Sequence, residues 1–125
     1  MPGKSDRVEA VIYHNAKCGS SRKTLALLRE RGIEPEIVEY LKTPPTRSTL
    51  AELARRTGGA ANILRTKEAL CAELGLVQDG VGEAQILDAI ATHPILLNRP
   101  VVVTAFGARV CRPPETVLEI LPKSS

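Results

Sequence analysis

The chain has 125 residues, the size of one ordinary domain and enough for a real core, and its 43% hydrophobic and 25% charged residues suit a globular protein. The first apolar run, Val8 to Tyr13, is broken by Glu9, so neither a secretory leader nor a membrane span is expected and the cytoplasm is the expected compartment. A net charge of +3 with only Tyr13, Tyr40 and Phe106 as aromatics offers no platform for stacking bases; a small anion fits the balance better than a nucleic acid.

The elements follow in order. Val8 to His14 reads as a strand. Ser20 to Arg31 reads as a helix with Leu25 and Leu28 on one face and Gly32 as its stop. Ile33 to Tyr40 reads as a second strand, and Thr43-Pro44-Pro45-Thr46 as a turn ending in a helix cap. Leu50, Leu53 and Ala54 mark the buried side of the next helix, which Gly58-Gly59 ends. Helical pieces are expected at Ala60–Leu64, Lys67–Leu74 and Glu83–Thr92. Val101–Thr104 and Arg109–Cys111 read as a β-hairpin, and Pro113-Pro114 opens a last helix carrying Val117, Ile120 and Leu121. The order is β-α-β, a helical insertion over about 46–92, then β-β-α. That order predicts a single α/β domain over residues 1–125.

Three cysteines, an odd number in a chain without an export signal, point to free thiols. Cys18 lies between the first strand and the first helix, where free N–H groups favour a thiolate. Arg22 and Lys23 add positive charge to that helix start, either for an anion in front of it or as a solvated pair. Ser21 stands where a dithiol Cys-x-x-Cys would have its second cysteine. Redox chemistry at Cys18 therefore needs an external thiol or another cysteine. The alternative is a structural cysteine, which the polar neighbours Lys17, Ser20 and Ser21 disfavour. His14 is either a strand-end residue or a tuner of the thiol. Arg99 and Arg112 each precede a proline, which restricts their backbone, and a cis bond is conceivable at Pro100. Arg65, at a break between helical pieces, is a third cation that could meet them. Cys71 and Cys111 read as packing residues, and His93-Pro94 as a helix terminator. No Cys, His or carboxylate cluster has metal-ligand spacing, and Thr24 stands where a phosphatase-type loop needs arginine.

The segment from Tyr13 to Arg22, with Cys18 at its centre, resembles the active-site loop of the glutaredoxin-coupled arsenate reductases. Tyr40–Arg47, His93–Thr104 and Cys111–Pro114 are similar to the same family, and the match runs from about Val11 to Pro122. The resemblance implies a thioredoxin-like fold with a mixed four-stranded sheet and a cis peptide before Pro100. It implies that Cys18 is the nucleophile, that Arg65, Arg99 and Arg112 bind the oxyanion, and that His14 and Ser21 support the thiol. Arsenate would be the substrate, glutathione the co-substrate and glutaredoxin the partner, with no bound cofactor. Two other readings stay open: a glutathione-dependent reductase of mixed disulfides, and a non-catalytic protein-binding regulator of the same fold.

Overall fold

The computed structural model describes residues 9–78 and 80–122. β1 (Ala10–His14) runs parallel to β2 (Glu36–Glu39) and antiparallel to β3 (Val101–Thr104), which pairs with β4 (Gly107–Val110). The sheet is mixed, in the order β2-β1-β3-β4. Val8, expected in the first strand, lies outside the described residues.

Alternation along the strands sorts side chains to two faces. Ala10, Ile12 and Val102 join Leu28, Ile33, Val117 and Ile120 in one core. Val101 joins Tyr40, Leu50, Leu53, Ile90 and Leu97 in the other, with Tyr13 and Val103 packed against it. The second core is built largely by the helical segment between β2 and β3. That segment holds α2 (Arg47–Thr57), a 3-10 turn at Ala60–Ile63, α3 (Ala69–Glu73) and α4 (Glu83–Thr92). This is the α/β domain with a helical insertion expected from the element order, and the thioredoxin-like arrangement that the family resemblance implies.

Most boundaries follow local chemistry. α1 covers Gly19–Glu30, one residue earlier at each end than the apolar pattern suggests, because Cys18 supplies the extended residue before the first turn. Leu28 is buried and Leu25 only half-buried, with Ser21 and Thr24 taking the remaining inward positions. Gly32 closes the helix at φ 77°, a left-handed conformation that favours glycine. β2 is shorter than Ile33–Tyr40. The Ile33 N–H returns to the Leu28 carbonyl (3.0 Å), and Tyr40 begins a turn in which Lys42 and Thr43 both donate to Glu39. Thr46 caps α2 by accepting from the Thr49 N–H at 3.1 Å.

Two expectations shift at the C-terminal end. The second arm of the hairpin is Gly107–Val110: the next pair in register, Cys111 with Pro100, keeps only the bond from the Cys111 N–H to the Pro100 carbonyl (2.9 Å), because proline has no N–H to return. The last helix, Pro114–Ile120, is 3-10 rather than α. Its fully buried positions, Val117 and Ile120, are three apart, the spacing a 3-10 helix places on one side.

Candidate active site

The turn from β1 into α1 is held by its own backbone and by three side chains. The Cys18 N–H donates to the Asn15 carbonyl (2.9 Å), and the Arg22 N–H donates to the Cys18 carbonyl (3.0 Å). Asn15 Oδ1 accepts from the Lys17 N–H at 3.0 Å. Arg22 Nη1 donates to the Ala16 carbonyl at 2.8 Å, which explains a positive charge placed at a helix start: it ties down the loop. Ser21 Oγ accepts from the Asn15 N–H (3.1 Å) and lies 2.6 Å from His14 Nδ1. The lowered pKa of His14 favours the neutral imidazole, which the Ser21 hydroxyl serves as donor to a bare Nδ1 or as acceptor from Nδ1–H, according to the tautomer. Burial pushes His14 below its ordinary pKa; Glu39 pulls the other way, while Arg29 and Arg22 add to the lowering. His14 and Ser21 form a buried pair beneath the loop.

Cys18 is partly exposed at the start of α1. Partial burial by itself pushes its thiol up. Hydrogen bonds to the thiolate from the Ser21 N–H, the Arg99 guanidinium, the Ser20 N–H and the Arg112 guanidinium outweigh that, and the pKa falls below the ordinary thiol value. Arg112 Nη1 lies 3.7 Å from Cys18 Sγ and also donates to the Arg99 carbonyl at 3.1 Å. The Arg99–Pro100 peptide is cis, as expected, and so is Arg112–Pro113, where no cis bond was expected. The Cys111–Pro100 backbone bond joins these two Arg-Pro steps side by side.

Arg65 reaches the same region by a different route. An antiparallel bridge pairs Leu64 with Leu97, and flanking bonds run from the Arg65 N–H to Leu96 (2.7 Å) and from the Asn98 N–H to Ile63 (2.8 Å). These splice the end of the 3-10 turn to the approach to β3. Arg65 Nε donates to Glu68 Oε2 at 3.1 Å, and the same oxygen lies 4.0 Å from Arg99 Nη1. A cleft of about 90 Å³ lined by Leu64, Arg65, Thr66, Lys67, Asn98 and Arg112 opens there. It is small beside the ~300–1,000 Å³ of ordinary organic-ligand pockets. The structure therefore brings Cys18, Arg99 and Arg112 into direct contact and links Arg65 to them through Glu68.

Glu68 itself carried no signal in the sequence, since it is one carboxylate on a short helical piece. In the sequence Tyr40 reads only as the end of the second strand and part of the Tyr40–Arg47 motif, with no role at the site. It is fully buried, its hydroxyl lacks a hydrogen-bond partner within normal distance, and burial raises its pKa, with smaller effects of Asn15, Arg99, Cys18 and Arg65. The other two thiols are buried. Cys71 Sγ donates to the Arg65 carbonyl (3.1 Å) and Cys111 Sγ faces the Arg109 carbonyl (3.6 Å). Burial raises both pKa values, that of Cys111 to about 12. Among the described residues, no group of three or more His, Cys, Asp or Glu side chains could hold a metal, and no helix is long and apolar enough to cross a membrane.

This arrangement has relatives. Residues 13–120 match the model of the ArsC family. The chain belongs to that family. It is 50% identical over 112 residues to an arsenate reductase of Rhizobium meliloti (strain 1021), an alignment covering 89% of this chain and 80% of the relative. It is 46% identical over 112 residues to the uncharacterized protein YfgD of Escherichia coli (strain K12), covering 88% of this chain and 94% of that one. Among solved structures, an arsenate reductase from Vibrio cholerae superposes with a TM-score of 0.88 at 43% identity, covering 93% of this chain and all of that one. The ArsC match and this superposition establish the family and its thioredoxin-like architecture, and two of these three relatives are named arsenate reductases.

Proposed function

We propose that the protein is an arsenate reductase in which the Cys18 thiolate attacks arsenic. The observation that carries this reading is Arg99. Its side chain is only 14% exposed, and its Nε and Nη1 are buried without a hydrogen-bond partner, beside a thiol of lowered pKa. Buried guanidinium donors without acceptors are costly unless an anion completes them. An oxyanion seated on them faces Cys18, the helix N–H groups and Arg112.

The chemistry follows from those parts. Cys18 sulfur forms a bond to arsenic(V), and one arsenate oxygen leaves as water after protonation. The arginines and N–H groups stabilise charge on the remaining oxygens. Glutathione then condenses on the same arsenic, expelling a second oxygen as water and giving a Cys18–arsenic–glutathione adduct. A glutaredoxin thiolate attacks the glutathione sulfur. The arsenic–sulfur electron pair passes to arsenic, which becomes arsenic(III), and a glutaredoxin–glutathione disulfide departs. Water hydrolyses the remaining Cys18–arsenic bond, releasing arsenite and the thiol. External thiols are required because Ser21 replaces a neighbouring resolving cysteine and both Cys71 and Cys111 are buried with raised pKa values. Such a pathway belongs in the cytoplasm, where glutathione is reduced.

Arsenate-dependent NADPH oxidation, coupled through glutathione reductase, glutathione and glutaredoxin, tests the reading. Turnover well above the rate without the protein is expected. A background rate at saturating arsenate would overturn it.

A further inference from the structure

A carboxylate in an oxyanion site is an anomaly, and Glu68 is placed in one. Its Oε2 accepts from Arg65 Nε at 3.1 Å and lies 4.0 Å from Arg99 Nη1, close enough for an ion pair but too far for a hydrogen bond. The Glu68 side chain is three-quarters buried. Arg99 keeps Nε and Nη1 buried and without a partner, although a carboxylate stands one short shift away. An anion that takes up those donors has Arg99 on one side and the Glu68 carboxylate within reach. Deprotonated oxygen against carboxylate is repulsive in a partly desolvated site; an O–H against carboxylate is a charge-assisted hydrogen bond.

We propose that Glu68 is a specificity-determining residue that selects oxyanions still carrying a proton, by accepting a hydrogen bond from the anion's O–H. The inference rests on the oxyanion reading of the site given above. Arsenate and phosphate both keep at least one proton near neutral pH, and sulfate keeps none. Selection among tetrahedral anions of similar size then rests on a proton instead of on shape.

The test is calorimetric binding of phosphate and of sulfate near neutral pH to the full chain, without thiol reductants, so that it does not depend on turnover. Phosphate is expected to bind at least about tenfold tighter than sulfate, since an anion lacking the O–H leaves the carboxylate facing like charge. In Glu68→Gln, whose amide can donate to sulfate, sulfate is expected to tighten by about tenfold while phosphate changes little, so the ratio collapses. Glu68→Ala, which removes the carboxylate altogether, should collapse it as well, and thermal melts of both variants report that the fold is retained. Equal binding of the two anions by the unaltered protein would overturn the inference. So would equal tightening of both in Glu68→Gln, the signature of a carboxylate that only plugs the arginines until any anion displaces it. A protein that binds neither anion loses the oxyanion site and this inference with it. One that binds both equally and still reduces arsenate loses only the role of Glu68.

Discussion

Cys18 and Cys111 are the same functional group in opposite surroundings, one at the start of α1 and the other just past β4. The Cys18 thiol is pulled below its ordinary pKa by two backbone N–H groups and two guanidiniums despite partial burial. Cys111 is fully buried and pushed up to about 12. Cys111 is the immediate chain neighbour of Arg112, yet the Arg112 guanidinium lies against Cys18, 94 positions away in sequence. Reactivity is thus assigned by which donors the fold aims at a sulfur, and sequence adjacency is a poor guide to it.

The strongest way to break this contrast is to remove each sulfur in turn. Cys18→Ser should lower arsenate reduction by at least about a thousandfold, as loss of a nucleophile does. Cys71→Ala and Cys111→Ala should stay within about threefold of the unaltered rate in the coupled assay. Loss of activity in either, with the melting transition intact, would mean that a buried thiol resolves the intermediate.

Next come the donors. Arg99→Ala removes the guanidinium whose Nε and Nη1 are buried and unpartnered. It should cost about 10²–10³ in kcat/KM for arsenate, the scale of losing one oxyanion-stabilising donor. Arg99→Lys keeps the charge but loses the planar fork, and should still cost at least about tenfold. Arg112→Ala, at an exposed position, should cost less than Arg99→Ala. On a glutathione mixed disulfide both changes should matter little. If arsenate kinetics were unchanged in both variants, the arginines would be ordinary surface charges and the mixed-disulfide reading would replace the oxyanion one.

The two sides of the site were not equally legible. The β1–α1 turn could be read because its signals are local: an apolar strand, a cysteine before a helix start, and a serine where a second cysteine would stand. The helix with Leu50, Leu53 and Ala54 inward, capped by Thr46, followed from the spacing of its apolar residues for the same reason. Arg65 could be nominated but not placed. The Leu64–Leu97 bridge that brings it to the site joins segments 33 positions apart, and neither segment has strand periodicity. Glu68 could not be nominated at all, since its meaning depends on that bridge. The last helix reads as α in the sequence because Val117, Ile120 and Leu121 have i, i+3, i+4 spacing; the helix ends at Ile120, which leaves Leu121 outside it and Val117 and Ile120, three apart, as its inward pair.

Alkylation sharpens the contrast at the level of the proton. Iodoacetamide modification of Cys18 against pH should show a midpoint below the ordinary thiol value of about 8.5. Cys111 should stay unmodified in the folded protein across that range and react only in denaturant. Arg112→Ala should move the Cys18 midpoint upward while leaving Cys111 untouched, because its guanidinium serves the distant sulfur and not the adjacent one. A Cys18 midpoint at or above the ordinary value would remove the reason for naming it the nucleophile.

The smallest effect concerns the pair beneath the loop. Ser21→Ala removes the hydroxyl that meets His14 Nδ1 at 2.6 Å and accepts from the Asn15 N–H. Both partners are left unpaired in a buried setting, so urea denaturation should show a loss of about 1–3 kcal/mol. The pH dependence distinguishes this from simple loss of packing. His14 titrates below its ordinary value in the folded protein, mainly because burial disfavours the imidazolium. Between the ordinary value of about 6.5 and the lower folded one, the unfolded chain binds a proton that the folded chain does not. Stability therefore falls as pH falls through that window and is fully retained above it. With the Ser21 hydroxyl donating to a bare Nδ1, its loss takes a hydrogen bond from the neutral imidazole, so the folded His14 pKa should move back toward its ordinary value and the acid-side slope should flatten. An unchanged slope in Ser21→Ala would show that burial alone sets the protonation of His14 and that the serine serves only the Asn15 N–H.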